Sequence, residues 1–167
     1  STFTTSDYTN PVVASVTVAD AINDVTASTA TVTFSATDNH NLAKLYYTIQ
    51  EGTASTATPT VAVIKADKSA TVTGTSGGAT YKFTGLKEET SYVVWAVAVD
   101  AAGNESAINK LVFTTDDATK PLIATLPTSF DADKKLTFIF NEAVTSAAGA
   151  VRIIDVATMK EVALLGL

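Results

Sequence analysis

An all-β sandwich, continued by the first part of a second β domain, is the fold class this sequence predicts. Three observations carry it. Segments of strand length alternate apolar and polar residues along most of the chain. Thr, Ala, Ser and Val dominate, with few Leu and one Met, a mix that favours strands. And one phrase recurs: FTTSDYTNPVV from Phe3 returns as FTTDDATKPLI from Phe113, 113 − 3 = 110 residues later, in identical register. A shared phrase at a domain-sized period is the signature of repeated modules.

The strands follow in order. VVASVTVAD (12–20) is the first. In TATVTFSATD (29–38), Val32, Phe34 and Ala36 face one way and Thr31, Thr33 and Ser35 the other, as a half-buried strand requires. LAKLYYTIQ (42–50) puts Leu45, Tyr47 and Ile49 on its inner face and Tyr46 outward. PTVAVIK (59–65) reads as a further strand. SATVTGTSGGATYKFTG (69–85) reads as a hairpin turning at Ser76-Gly77-Gly78, where glycine supplies positive φ. SYVVWAVAVD (91–100) is a long apolar strand, and AINKLVFTT (107–115) closes a unit of about seven strands. No segment of this unit shows a helical period.

Composition bounds the function. Of 167 residues 46% are apolar and 17% charged, enough to bury a core. With no cysteine there is no disulfide framework, thiolate metal site or cysteine nucleophile. A net charge of −6 is a poor match to phosphate backbones, which argues against a nucleic-acid partner. No apolar run approaches membrane-spanning length.

GLKEETSYVVWAVAVDAAGNES (85–106) resembles the end of a fibronectin type III domain. Leu86, Thr90 and Tyr92 match that family's Leu…Thr-x-Tyr pattern, and the resemblance covers residues 11 to 115. It implies an Ig-like sandwich in which the Tyr92 hydroxyl bonds to upstream backbone at a corner between two strands. The AVDAAGN phrase is common in bacterial, secreted modules of this kind. One departure is Phe34 where the family often carries Trp. After Pro121, KLTFIFNEAV (135–144) parallels TVTFSATDNH (31–40) and looks like a bacterial Ig-like module of surface-layer proteins. The expected organisation is a tail and linker over 1–10, a sandwich over 11–115, a linker over 116–121, and the N-terminal part of a second Ig-like domain over 122–167. The chain then reads as a slice of a tandem array, with proline stiffening each restart.

Catalytic signals are weak. The single histidine, His40, reads as an exposed loop residue, and no GxSxG elbow, phosphate loop, HExxH or EF-hand pattern accompanies it. A metal site has more content. The loop after the second strand carries Asp38, Asn39 and Asn41, and the loop after the long apolar strand carries Asp100 and Asn104. Both belong at the pole where the incoming linker brings Asp7. Calcium takes 6–8 hard oxygen ligands, which makes Asp7, Asp38, Asp100 and Asn104 a candidate set. Asp117 and Glu142 are the corresponding residues at the second junction. The competing reading is that Asp and Asn simply form turns. Alternation also turns Trp95 outward beside Tyr46, as an apolar patch for a partner domain or a sugar ring.

The expected function is a non-catalytic structural or adhesive module of a secreted, multidomain bacterial cell-surface protein, of surface-layer, stalk or fibre type. It acts as a rigid spacer with calcium-stiffened linkers. Its partners are neighbouring Ig-like domains and copies of itself in a lattice or fibre. The alternative is a carbohydrate-binding or accessory module of a secreted glycosidase.

Overall fold

Period-two alternation gives most of the strands one apolar face, the strand Ser91–Asp100 being apolar on both, and the first seven strands form two sheets packed on those faces. A computed structural model describes residues 5–18, 23–125, 139–141, 154–155 and 160–161. The chain divides into two compact units, Ser1–Ala118 and Thr119–Leu167. In the first, β1 (Val12–Thr17), β2 (Thr29–Thr37) and β5 (Ser76–Thr84) form a sheet in the order β1-β2-β5. The facing sheet runs β4-β3-β6-β7, from β4 (Lys68–Thr71), β3 (Leu42–Glu51), β6 (Ser91–Asp100) and β7 (Asn109–Thr114). All their pairings are antiparallel.

The core between the sheets is assembled from the residues that alternation selects. Val32, Phe34 and Ala36 of β2 meet Leu45 and Tyr47 of β3 and Val94, Ala96 and Ala98 of β6. Phe34 takes the place expected of a tryptophan and stacks on Tyr47 with ring centroids 4.6 Å apart. Burial pushes the Tyr47 hydroxyl pKa up, with Tyr81 and Asp67 adding to it.

Three local expectations are corrected. PTVAVIK is not a strand: Val61–Lys65 is a single helical turn and a half, α1, capped by the Thr60 hydroxyl, which accepts from the Val63 N–H at 3.4 Å. Five residues rich in β-branched side chains make a poor isolated helix. Tertiary packing holds it instead, because Ile64 is fully buried against Val93, Trp95 and Val97 on the outer face of β6. The segment from Gly52 to Asp67 therefore crosses the outside of the sheet. It is tied down by the Gly52 N–H to Ser91 O (2.9 Å) and by Lys110 Nζ to Ala54 O (2.8 Å). Trp95 does point outward, as alternation requires, but it is 0% exposed. The expected surface patch is instead a second core, and Tyr46 packs half-buried at its edge.

The expected hairpin over 69–85 is also two strands of different sheets, β4 pairing with β3 and β5 with β2. The reversal uses Gly74, at φ +80°, and Ser76 to Gly78 lie inside β5. Gly78 serves close approach: a Cβ there would come within 2.6 Å of the Phe34 carbonyl oxygen.

In the second unit, β8 (Ile123–Thr125) pairs with β9 (Ile139–Phe140), and β10 (Ile154–Asp155) with β11 (Lys160–Glu161). The β8–β9 ladder repeats that of β1–β2. Val13 pairs with Ala36 and Ile123 with Phe140. The ladder then skips one residue at the same place, resuming at Ser15↔Ser35 and at Thr125↔Ile139. The first-strand offset is 123 − 13 = 110 and 125 − 15 = 110, the period of the repeated phrase.

Because Ile64 is what seats α1, Ile64→Ala is expected to cost about 2–5 kcal/mol, the range for large-to-small changes in a packed core. Urea unfolding measures the loss. The emission of Trp95, the one tryptophan, should shift to the red as water reaches the ring.

Candidate metal centre

Strand ends expose backbone groups that loops must satisfy, and one pole of the sandwich does this with carboxylates. Asp38 follows the last residue of β2, Asp100 is the last of β6, and Asp7 lies on the segment leading into β1. The loops are joined by the Ala101 N–H to Asn41 O (2.8 Å) and by the Asp38 N–H to Thr75 O (3.0 Å). Three segments distant in sequence thus meet: one carboxylate oxygen from each of Asp7, Asp38 and Asp100 lies within 4.8 Å of the other two.

The three acids are held differently. Asp100 is 3% exposed. Its Oδ1 accepts from the Asn104 N–H (2.8 Å) and its Oδ2 from Asn104 Nδ2 (2.7 Å). Burial raises the pKa of this carboxyl, but the bonds from Asn104, Gly103 and Ala102 outweigh it and hold it below the usual carboxylate range. Asp38 Oδ2 accepts from the His40 N–H (3.0 Å), while its Oδ1 is buried and has no donor among the described residues. Asp7 Oδ1 accepts from the Thr9 N–H (3.0 Å) and from Asn39 Nδ2 (3.4 Å). Among the described residues no ion pair neutralises the cluster, so three like charges face one another.

Asn104 plays a part its sequence position did not reveal. Its Nδ2 donates to Asp100 and also to the Asp7 carbonyl oxygen at 3.1 Å, so it clamps the incoming segment to the end of β6. The donor set is three hard carboxylate oxygens, one residue of which keeps a buried oxygen that no group among the described residues satisfies, and such a set could hold a hard cation. Asp7, Asp38 and Asp100 would be its ligands, with Asn104 positioning two of them. His40 is exposed, beside a cavity of about 230 Å³ lined also by Asp7, Asn41, Ala101 and Ala102. At the second junction Asp117 is exposed in the first unit, and Glu142 lies outside the described residues.

The opposite pole holds a second arrangement. The Tyr92 hydroxyl accepts from the Lys87 N–H at 2.9 Å, the corner bond implied by the Leu…Thr-x-Tyr pattern. Thr115 completes it and was not singled out in sequence. Its buried hydroxyl donates to Lys87 O (2.6 Å) and accepts from the Thr90 N–H (3.0 Å). The signal for it was present as the third residue of the repeated FTT.

A family model described as fibronectin type III domain matches residues 15–114. Two solved structures are similar. One is described as a myokine structure, 17% identical, covering 65% of this chain and 97% of its own, with a TM-score of 0.40. The other is the third fibronectin III domain of human KIAA0343 protein, 19% identical, covering 72% and 96%, with a TM-score of 0.36. No curated protein matches.

A carboxyl whose folded pKa is depressed contributes stability above its unfolded value and loses it as pH falls through the folded one. The first unit should therefore lose stability below the ordinary carboxylate range, near pH 4 and downward. In Asp100→Asn that part of the acid transition should flatten, read by melting temperature across pH 2–6.

Proposed function

We propose that this chain, which belongs to the fibronectin type III family, is a non-catalytic structural module of a multidomain bacterial cell-surface protein and acts as a spacer whose linker is stiffened by calcium. Membership rests on the family match over residues 15–114, more than half of the chain. Such domains are structural and binding modules that commonly stand in tandem. Two features support an array: the 110-residue repeat and the matching ladders of β1–β2 and β8–β9. The AVDAAGN phrase supports a secreted bacterial setting. No helix among the described residues is long and apolar enough to cross a membrane.

The observation that carries the calcium reading is the meeting of linker residue Asp7 with Asp38 and Asp100. An ion there would offset most of the repulsion, satisfy Asp38 Oδ1 and fix the angle at which the chain enters the sandwich. The sugar-binding alternative needed an exposed ring. Burial of Trp95 beneath α1 removes the ring on which that alternative was placed.

Calcium at about a hundredfold excess over Kd should stabilise the fold by about 2.7 kcal/mol. For a domain of this size that is a rise in Tm on the order of 10 °C. Asp38→Asn relieves repulsion in the ion-free protein, so it should melt no lower than the parent in chelator yet lose the response to calcium. Identical melting of the parent in calcium and in chelator would remove the ion from this reading.

A further inference from the structure

Both ends of the sandwich's chain are fastened to the two ends of one strand. The incoming segment is held at the Asp7 carbonyl oxygen by Asn104 Nδ2 (3.1 Å), and Asn104 is bonded twice to Asp100, where β6 ends. The outgoing segment is held at Thr115. Its N–H donates to Thr90 O (3.1 Å), and its hydroxyl accepts from the Thr90 N–H (3.0 Å) and donates to Lys87 O (2.6 Å). Thr90 immediately precedes β6, and Lys87 is tied back into β6 through the Tyr92 hydroxyl.

We infer that tension along the chain is carried pole to pole by β6, and that the Asn104 and Thr115 fastenings shield β1 and β7 from it. This rests on the reading of the chain as a spacer in an array. β6 suits the task. It spans about 33 Å at the usual rise per residue. It is buried without interruption from Tyr92 to Ala98, and it is paired along its length with β3 on one side and over its first six residues with β7 on the other. Moving it breaks two ladders at once. β1 is the weak alternative, six residues that among the described strands pair with β2 alone and carry an irregularity between Val13 and Ser15. Pulled directly, β1 would shear off first. Pulled through Asn104, the force reaches Asp100 before it reaches Val12. A cation on Asp7, Asp38 and Asp100 would add a parallel fastening at the same pole.

The chain has no cysteine, so introduced cysteines give unique handles for single-molecule pulling on the full chain. One pair, Ser6→Cys with Ala118→Cys, lies outside both fastenings. The other, Val12→Cys with Val112→Cys, lies inside them at exposed positions. At equal force the outside pair should give unfolding lifetimes about tenfold longer, the factor that corresponds to about 1.4 kcal/mol of barrier. Asn104→Ala and Thr115→Val should each erase that ratio, and Thr115→Ser should restore it. A purely structural role would change urea stability and both lifetimes together and leave the ratio intact. Equal lifetimes for the two handle pairs in the parent protein overturn the inference. The measurement is made in calcium and in chelator. A ratio that persists unchanged in both refutes the ion while leaving β6 as the path of tension.

Discussion

A strand with apolar residues on both faces cannot lie at a surface, and much of this structure follows from β6 being such a strand. Val94, Ala96 and Ala98 face the opposing sheet, and Val93, Trp95 and Val97 face away from it. The first set is covered by the sandwich itself. The second needs a cover of its own, and the crossing segment with α1 provides it. The buried indole contributes its area at a cost, since its N–H has no hydrogen-bond partner among the described residues. Burial of the large ring outweighs one unsatisfied donor, because the apolar area removed from water is worth more than the hydrogen bond forgone.

The ends of the same strand organise the two poles. At its start, Thr90 and Tyr92 receive the corner loop and the outgoing Thr115. At its finish, Asp100 gathers Asn104, and through it the incoming Asp7. A buried strand held in a ladder with β3 to its last residue is a good place to fix side chains whose geometry matters, because its backbone resists their repulsion. The acid cluster and the Thr115 fastening are thus two uses of one scaffold, placed where the chain enters and where it leaves.

The repeat links this local chemistry to the larger architecture. The β8–β9 ladder reproduces both the pairing and the skipped residue of β1–β2, so the likeness of the two phrases extends beyond linker composition into backbone register. A skipped residue re-aims a strand and alters its twist, so its recurrence marks a retained structural feature. The third residue of the phrase is Thr115 in the second copy, where it closes the corner, and the fifth is Asp7 in the first, where it meets Asp38 and Asp100.

Strand alternation was legible in the sequence wherever one face is buried and the other is not, as in β2 and β3. The inward set Val32, Phe34, Ala36, Leu45 and Tyr47 follows from the pleat alone. The three aspartates were legible too, because loop positions follow from strand order. α1 was not, since its β-branched residues favour a strand locally and only the apolar outer face of β6 makes them a helix. The hairpin over 69–85 failed for a related reason: glycines announce a turn and close backbone contact with the same letter. Trp95 shows the division most plainly. Period two determined which way its side chain points, but whether that direction leads to water or to a second core was decided by a segment thirty residues earlier in the chain. Direction is a property of the local backbone, and burial is a property of what else arrives there.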